Sequence, residues 1–301
     1  MLASKLSAVS DQDTRRNSSP WCLAISIHKL RFIAVSKSIN PLPQFFQMFL
    51  LRAYSITLKS GLLSTAFGNK LFEISYHLYK NWLEAKAVDR LQPWVHNSST
   101  VIDVGANAGF FTRRFARWIG DDGFVMAIEP ESKNIERLER FLSKEDVRDR
   151  VRIFQAVAAE EAGTLMLAIN PVHPGDHRIS EAGQPVEAVT LDGIVADQGW
   201  PDVSLIKVDV QGAEVRVLDG AREVLRRCRP ALFLEIDPVA LGEQNSSVAE
   251  LVIRLRDASY FAYALNQHKE FEFLPLDEIS AMVKKHGHYI DILCLPEEST
   301  L

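Results

Sequence analysis

Residues 101–112, Val101-Ile102-Asp103-Val104-Gly105-Ala106-Asn107-Ala108-Gly109-Phe110-Phe111-Thr112, constrain the fold more than any other stretch. A short apolar run enters a glycine-rich turn and continues as helical text. Gly105 and Gly109 let the backbone approach a ligand or take positive φ. The helix beginning near Gly109 presents unbonded amide groups. A dinucleotide-binding turn needs G-x-G-x-x-G to seat a pyrophosphate. Here Asn107 stands at the second glycine and Phe110 at the third. The spacing D-x-G-x-N-x-G suits a nucleoside with an amino-acid tail and no phosphate. Alone, the turn also reads as tight strand–helix packing.

Glu129 lies 24 residues after Gly105, at the end of the next apolar run, Phe124 to Ile128. A carboxylate there can accept both ribose hydroxyls of an adenosine. That position serves nicotinamide and S-adenosylmethionine enzymes alike, and an ordinary surface acid before Pro130 would look the same.

From residue 100 onward, strands and helices alternate. Strands are predicted at 101–104, 124–128, 151–157, 203–208, 231–236, 260–265 and 288–295. Helices are predicted at 111–119, 132–143 (with Ser132 as N-cap), 213–227 and 247–257. Two extra strands, 164–169 and 186–191, flank a polar loop, and Asp192 reads as the N-cap of a short helical segment. The alternation implies a parallel three-layer α/β sheet with right-handed crossovers. Such a sheet binds ligands beyond the carboxyl ends of its strands, so the chemistry belongs at strand-ending residues.

Residues 1–60 carry net charge +6, against -5 for the whole chain, which leaves -11 on residues 61–301. Residues 1–95 are expected to form an extension, mostly helical or loose, with apolar clusters at 43–60 and 70–92 ended by Pro93. Residues 96–301 form the main domain. The early acids and Arg15-Arg16 do not fit a secretory signal. The run 21–35 is interrupted by His28, Lys29 and Arg31, so no transmembrane helix is predicted. The basic segment could touch a membrane surface or a partner. The net charge of -5 argues against a dedicated nucleic-acid coat but not against local contacts. Cys22, Cys228 and Cys294 are far apart and form neither a disulfide framework nor a zinc knuckle, consistent with a cytoplasmic setting. His286 and His288 are too few for a zinc site.

The stretch Ile206-Lys207-Val208-Asp209-Val210-Gln211-Gly212-Ala213-Glu214, followed by Leu218-Asp219-Gly220-Ala221, resembles the FkbM family of S-adenosylmethionine-dependent methyltransferases. The family pattern is close to I-K-x-D-x-E-G-x-E and then L-x-G-A, with Gln211 here replacing the usual glutamate. The D-V-G-A-N-A-G turn, Ile128-Glu129-Pro130, Thr190-Leu191-Asp192 and Leu234-Glu235 follow the family in the same order, over about residues 99–240. The resemblance implies a Rossmann-like class I methyltransferase fold, a seven-stranded, mostly parallel sheet with an antiparallel last strand. It implies S-adenosylmethionine as cofactor. A divalent metal could be accommodated but is not implied, and no metal ligand is assigned.

By the same resemblance, Gly105, Asn107 and Gly109 hold the methionine part, and Asp103 contacts that end directly or through water. Glu129 takes the ribose, and Ala156 offers backbone near the adenine. Asp209 is a candidate base or substrate orienter. It could instead contact the cofactor amine or cap the following helix. Glu214 reads as a structural tie to the loop backbone. His177, in the loop 171–178, is a second candidate base. Asp176 and Arg178 are candidate substrate residues, Arg178 for an anionic group. A polar hairpin tip would look the same. Glu235 could face the substrate or form a salt bridge. The expected activity is O-methylation of a hydroxyl on a sugar or other small metabolite. The alternatives are a nicotinamide-dependent oxidoreductase on a Rossmann sheet, and a non-catalytic nucleoside-binding module.

Overall fold

The computed structural model describes residues 88–170, 177–265, 270–287 and 289–299. The expectations for residues 1–87, for Asp176 and for His288 lie outside them. At the start of the described chain a 3-10 turn, Asp89–Trp94, contains Pro93, and Leu91 is buried in the core.

In chain order the elements are β1 (Thr100–Val104), α1 (Phe110–Trp118), β2 (Phe124–Ile128), α2 (Ser132–Leu142), β3 (Val151–Phe154), β4 (Val157–Ala158), β5 (Gly163–Ala168), β6 (Arg178–Ile179) and β7 (Gln184–Val189). They continue with α3 (Leu191–Asp197), β8 (Val203–Val208), α4 (Glu214–Asp219), α5 (Arg222–Cys228), β9 (Ala231–Ile236), α6 (Pro238–Glu243), α7 (Val248–Asp257), β10 (Tyr260–Leu265), β11 (Phe271–Leu274), α8 (Ile279–His286) and β12 (Ile290–Pro296).

The main sheet has the order β11-β10-β12-β9-β8-β1-β2-β3. β3, β2, β1, β8 and β9 are parallel. β12 runs antiparallel between β9 and β10, and β11 is an antiparallel edge. This is the class I methyltransferase arrangement with one added strand. The sequence reading missed β11 because Phe271-Glu272-Phe273-Leu274 is too short to show a period. β1 and β8 are buried along their whole length, as strands covered by helices on both faces must be. One apolar cluster joins Ile102, Ile128 and Ile206 to α3, α4, α5 and α7. The other joins Val101, Val125 and Leu205 to Phe115 of α1 and Leu138 of α2. A register shift between Thr100 and Val101 sets Asp103 opposite Lys207 on the adjoining strand.

A smaller sheet, β4-β7-β5-β6, holds the predicted extra strand pair as β5 and β7. The expected single helix at 213–227 is two helices, α4 and α5. The break has a cause: the Asp192 carboxylate accepts from the backbone amides of Glu223 (3.0 Å) and Val224 (2.8 Å), which gives α5 its own N-terminus. Asp192 therefore caps a distant helix, while Thr190 caps its own, α3. Likewise Glu131, not Ser132, is the N-cap of α2.

Asp192→Ala should remove both acceptors from α5. The expected result is a loss of about 1 kcal/mol, seen as a lower urea midpoint with an unchanged denaturant slope.

Candidate functional site

A cavity opens at the carboxyl ends of β1, β2 and β8, the location expected for an open α/β sheet. Gly105, Asn107, Glu129, Ala156, His177 and Asp209 line it, as predicted site residues brought together. Asp103, Gly109, Arg178 and Glu235 are not among the lining residues.

The turn after β1 closes on itself. The amides of Gly105 and Ala106 both donate to the Ile128 carbonyl, at 3.0 and 3.1 Å, and that of Gly109 to Ala106, at 2.9 Å. The Asn107 amide donates to Glu129 Oε2 at 2.9 Å, and the Ala108 amide to Asn107 Oδ1 at 2.7 Å. All five amides from 105 to 109 are committed within the protein. Gly105 has φ +77°, and a Cβ there would lie 2.1 Å from the Asp209 carbonyl oxygen. The turns after β1 and β8 therefore touch backbone to backbone. Gly109 serves packing: a Cβ would meet Leu138 Cδ1 at 2.4 Å.

Glu129 is fixed from three directions. Besides Asn107, its Oε1 accepts from the Glu131 amide (3.1 Å) and Asn134 Nδ2 (3.0 Å). Burial pushes its carboxyl above the usual carboxylate range, and these bonds oppose the rise. Oε1 has used both lone pairs, so Oε2 keeps the remaining acceptor capacity. Ala156 has given its amide to the Phe154 carbonyl, leaving its own carbonyl.

Asp103 is fully buried beneath the turn. Its Oδ2 accepts from Thr112 Oγ1 at 2.6 Å, and Oδ1 lies 3.3 Å from Lys207 Nζ. Lys207 is 2 % exposed and also lines the cavity. It donates to the carbonyl of Gly105 (2.9 Å) and lies 3.6 Å from Asp209 Oδ2. The Asp209 side chain is 27 % exposed. After it, Glu214 Oε1 accepts from the Gly212 amide at 3.1 Å, the backbone tie predicted from sequence.

His177 packs on the β2 side. Its Nδ1 accepts from the Asn170 amide at 3.1 Å, and Nε2 lies 3.9 Å from Glu131 Oε2. Arg178 is ion-paired with Glu243 at the end of α6, and Gln244 Nε2 donates to the Ile179 carbonyl at 3.0 Å. These contacts tie β6 to the main sheet's connections. Glu235 is half-buried in β9, in register with Asp291 of β12. The sequence reading did not select Lys207, Glu131 or Asn134 as site residues. Lys207 had a signal, the one ionisable group in the otherwise uncharged β8. Glu131 and Asn134 act through local bonds at a helix start and had none.

The family profile described as the Methyltransferase FkbM domain matches residues 103–262, more than half of the chain. This chain belongs to the FkbM methyltransferase family. Every lining residue from Gly105 to Asp209 falls within the FkbM match. The chain is similar to methyltransferase sdnD of Sordaria araneosa, with 29 % identity over 157 residues, 41 % of this chain and 60 % of that protein. It thus spans about 60 % of the length of that curated relative. Among solved structures it is similar to the methyltransferase FkbM of Methylobacillus flagellatus, at 18 % identity and TM-score 0.41, over 65 % of this chain and 43 % of that one. It is also similar to an S-adenosylmethionine-dependent O-methyltransferase of Thermotoga maritima, at 16 % identity and TM-score 0.40, over 70 % and 65 %. Among the described residues of this FkbM domain, no group of three or more potential ligands gathers as a metal site, and no helix is long and apolar enough to cross a membrane.

Burial, reinforced by the nearby Asp209 charge, pushes the Glu214 carboxyl up from 4.5 to about 7, against its backbone bonds. Between those values the folded protein holds a proton that the unfolded chain has released. Stability from this group is fully present below about pH 4.5 and is lost as pH rises through 7. Glu214→Gln should flatten that fall, gaining on the wild type by up to about 3 kcal/mol at pH 8. Urea unfolding at a series of pH values measures it.

Proposed function

We propose that this protein transfers a methyl group from S-adenosylmethionine to a hydroxyl oxygen of a sugar or other small metabolite. The observation that carries the reading is the closed turn after β1. A pyrophosphate-binding turn must offer its amides to the ligand, and here the five from Gly105 to Gly109 are spent internally. That argues against a nicotinamide dinucleotide. The polar groups among the described lining residues are backbone carbonyls, the side chains of Asn107, His177, Lys207 and Gln211, and two carboxylates, Glu129 and Asp209, which fit a nucleoside carrying an amino acid. Phe110 and Phe111, at the start of α1, bring the positive end of the helix dipole to the wall and favour the amino-acid carboxylate.

S-adenosylmethionine, when bound, supplies a methyl group on a sulfonium sulfur. Glu129 Oε2 accepts a ribose hydroxyl, and the Ala156 segment borders the adenine. Gly105 and Asn107 border the amino-acid tail, with Asp103 and Gly109 supporting them from below. Asp209 would orient the acceptor hydroxyl and take its proton as the oxygen displaces the sulfur from the methyl carbon, the C–S bond breaking as the C–O bond forms and the sulfur leaving as a neutral thioether. Leu167, His177 and Ile179 wall the cavity from the smaller sheet and restrict water. His177 Nδ1 accepts from the Asn170 amide, so the neutral ring carries its proton on Nε2 and has no lone pair left to act as base, and that role goes to Asp209. Arg178 and Glu235 support the cleft's edge, Arg178 through Glu243. Among the described lining residues the one lysine or arginine is Lys207, held by carboxylates. Nucleic acid requires several cations on its phosphates, so a small acceptor without phosphates fits better.

Calorimetric titration with S-adenosylmethionine, S-adenosylhomocysteine and NAD tests the cofactor. Micromolar binding of both sulfur nucleosides is expected, weakened at least about tenfold by Glu129→Ala, the loss of one charged acceptor. Binding of NAD alone would overturn the reading, and binding of none would favour a non-catalytic module. With a labelled methyl donor and a panel of hydroxylated acceptors, Asp209→Asn should lower kcat by about 100-fold or more.

A further inference from the structure

Lys207 is a cation in the wall of a cavity proposed to receive another cation. Its ammonium lies 3.3 Å from Asp103 and 3.6 Å from Asp209 and donates to the Gly105 carbonyl at 2.9 Å. Asp103 and Lys207 are buried, so water does little to screen them. Two carboxylates and one ammonium leave the cluster at a net charge of -1. Without the lysine it would stand at -2.

A methyl donor of this class carries a sulfonium charge that the transfer abolishes, and its product is a neutral thioether. The two ligands share every other group. Attraction for the sulfonium therefore stabilises the ground state and is lost on the way to product. Binding energy of that kind lowers KM without raising kcat. We propose that Lys207 is a positioning residue that sets the pocket's preference between the sulfonium donor and the thioether product, by holding the Asp103–Asp209 pair at net -1. The proposal rests on the cofactor reading above. It differs from a purely structural role, because it predicts that preference follows the cluster's charge rather than its shape.

The test is the ratio of Kd values for S-adenosylmethionine and S-adenosylhomocysteine, measured by calorimetry at one pH in the full chain. Lys207→Met should shift the ratio about tenfold towards S-adenosylmethionine, the size of one charge acting across a partly screened cavity. Asp103→Asn, at net 0, should shift it in the opposite direction. Asp103→Asn combined with Lys207→Met restores -1 and should return the ratio to within about twofold of wild type. Should Lys207→Met fail to fold, Asp103→Asn and the double variant carry the same comparison. Ratios that stay constant across the variants, or a shift that persists in the double variant, overturn the proposal and leave the cofactor reading intact. A wild-type protein that binds neither ligand overturns both.

Discussion

A lysine ammonium inside a parallel sheet is tolerated only where anions and carbonyls surround it, since removing a charge from water costs several kcal/mol. At Lys207 that requirement organises the carboxyl end of the sheet. It draws Asp103 under the turn after β1 and Asp209 over from the turn after β8, and it binds the Gly105 carbonyl between them. Gly105 must then lack a side chain, because the two turns meet backbone to backbone. The Phe111 ring, 4.9 Å from the ammonium, closes the remaining side. Loop position, glycine identity and carboxylate orientation are thus consequences of one buried charge. The same arrangement keeps the paired groups at fixed distances from the cavity, which alignment-based catalysis needs.

The β2 side is built differently. Glu129 is held by three donors from its own turn and helix, and Glu131 caps that helix while facing His177. This half of the cavity is a local hydrogen-bond network over which the smaller sheet lies. Long-range ties to the core are made at β6, through Arg178 and Gln244, and at β4 and β7, where Ala158 and Val189 pack into the apolar cluster. Arg178 had looked like an anion-binding residue in the sequence. In the fold it meets Glu243, a partner 65 residues away that no local pattern could indicate.

What the sequence showed well were features that depend on near neighbours. The apolar runs of β1, β2, β8 and β9 and the glycine turn reflect local burial and backbone demands, and each lies where the periodicity put it. Gly105, Asn107, Glu129 and Asp209 followed, because strand ends in such a sheet converge. Asp103 and Gly109 were visible as part of the motif, but their surroundings were not: Asp103 is fully buried, and at Gly109 the backbone lies so close to Leu138 of α2 that a Cβ would not fit. The division of 213–227 into two helices depended on Asp192, a carboxylate 31 residues before the amide it caps. β11 and α6 are short, and too few residues repeat in them to reveal a period.

The register shift between Thr100 and Val101 lies at the far end of β1 from the cavity. Side chains alternate in a strand, so one inserted residue exchanges the faces of everything after it. Had the pairing of Thr100 with Val203 continued unshifted, Asp103 would stand beside Ile206 and the ammonium would emerge on the opposite layer. The extra residue in β8 acts as a phase setting, made some five residues upstream of the chemistry it serves. Insertions or deletions near Ser204 are therefore restricted by the electrostatics of the distant strand ends as well as by local packing. A swap of whole strands between relatives would carry the chemistry across only if that phase came with it.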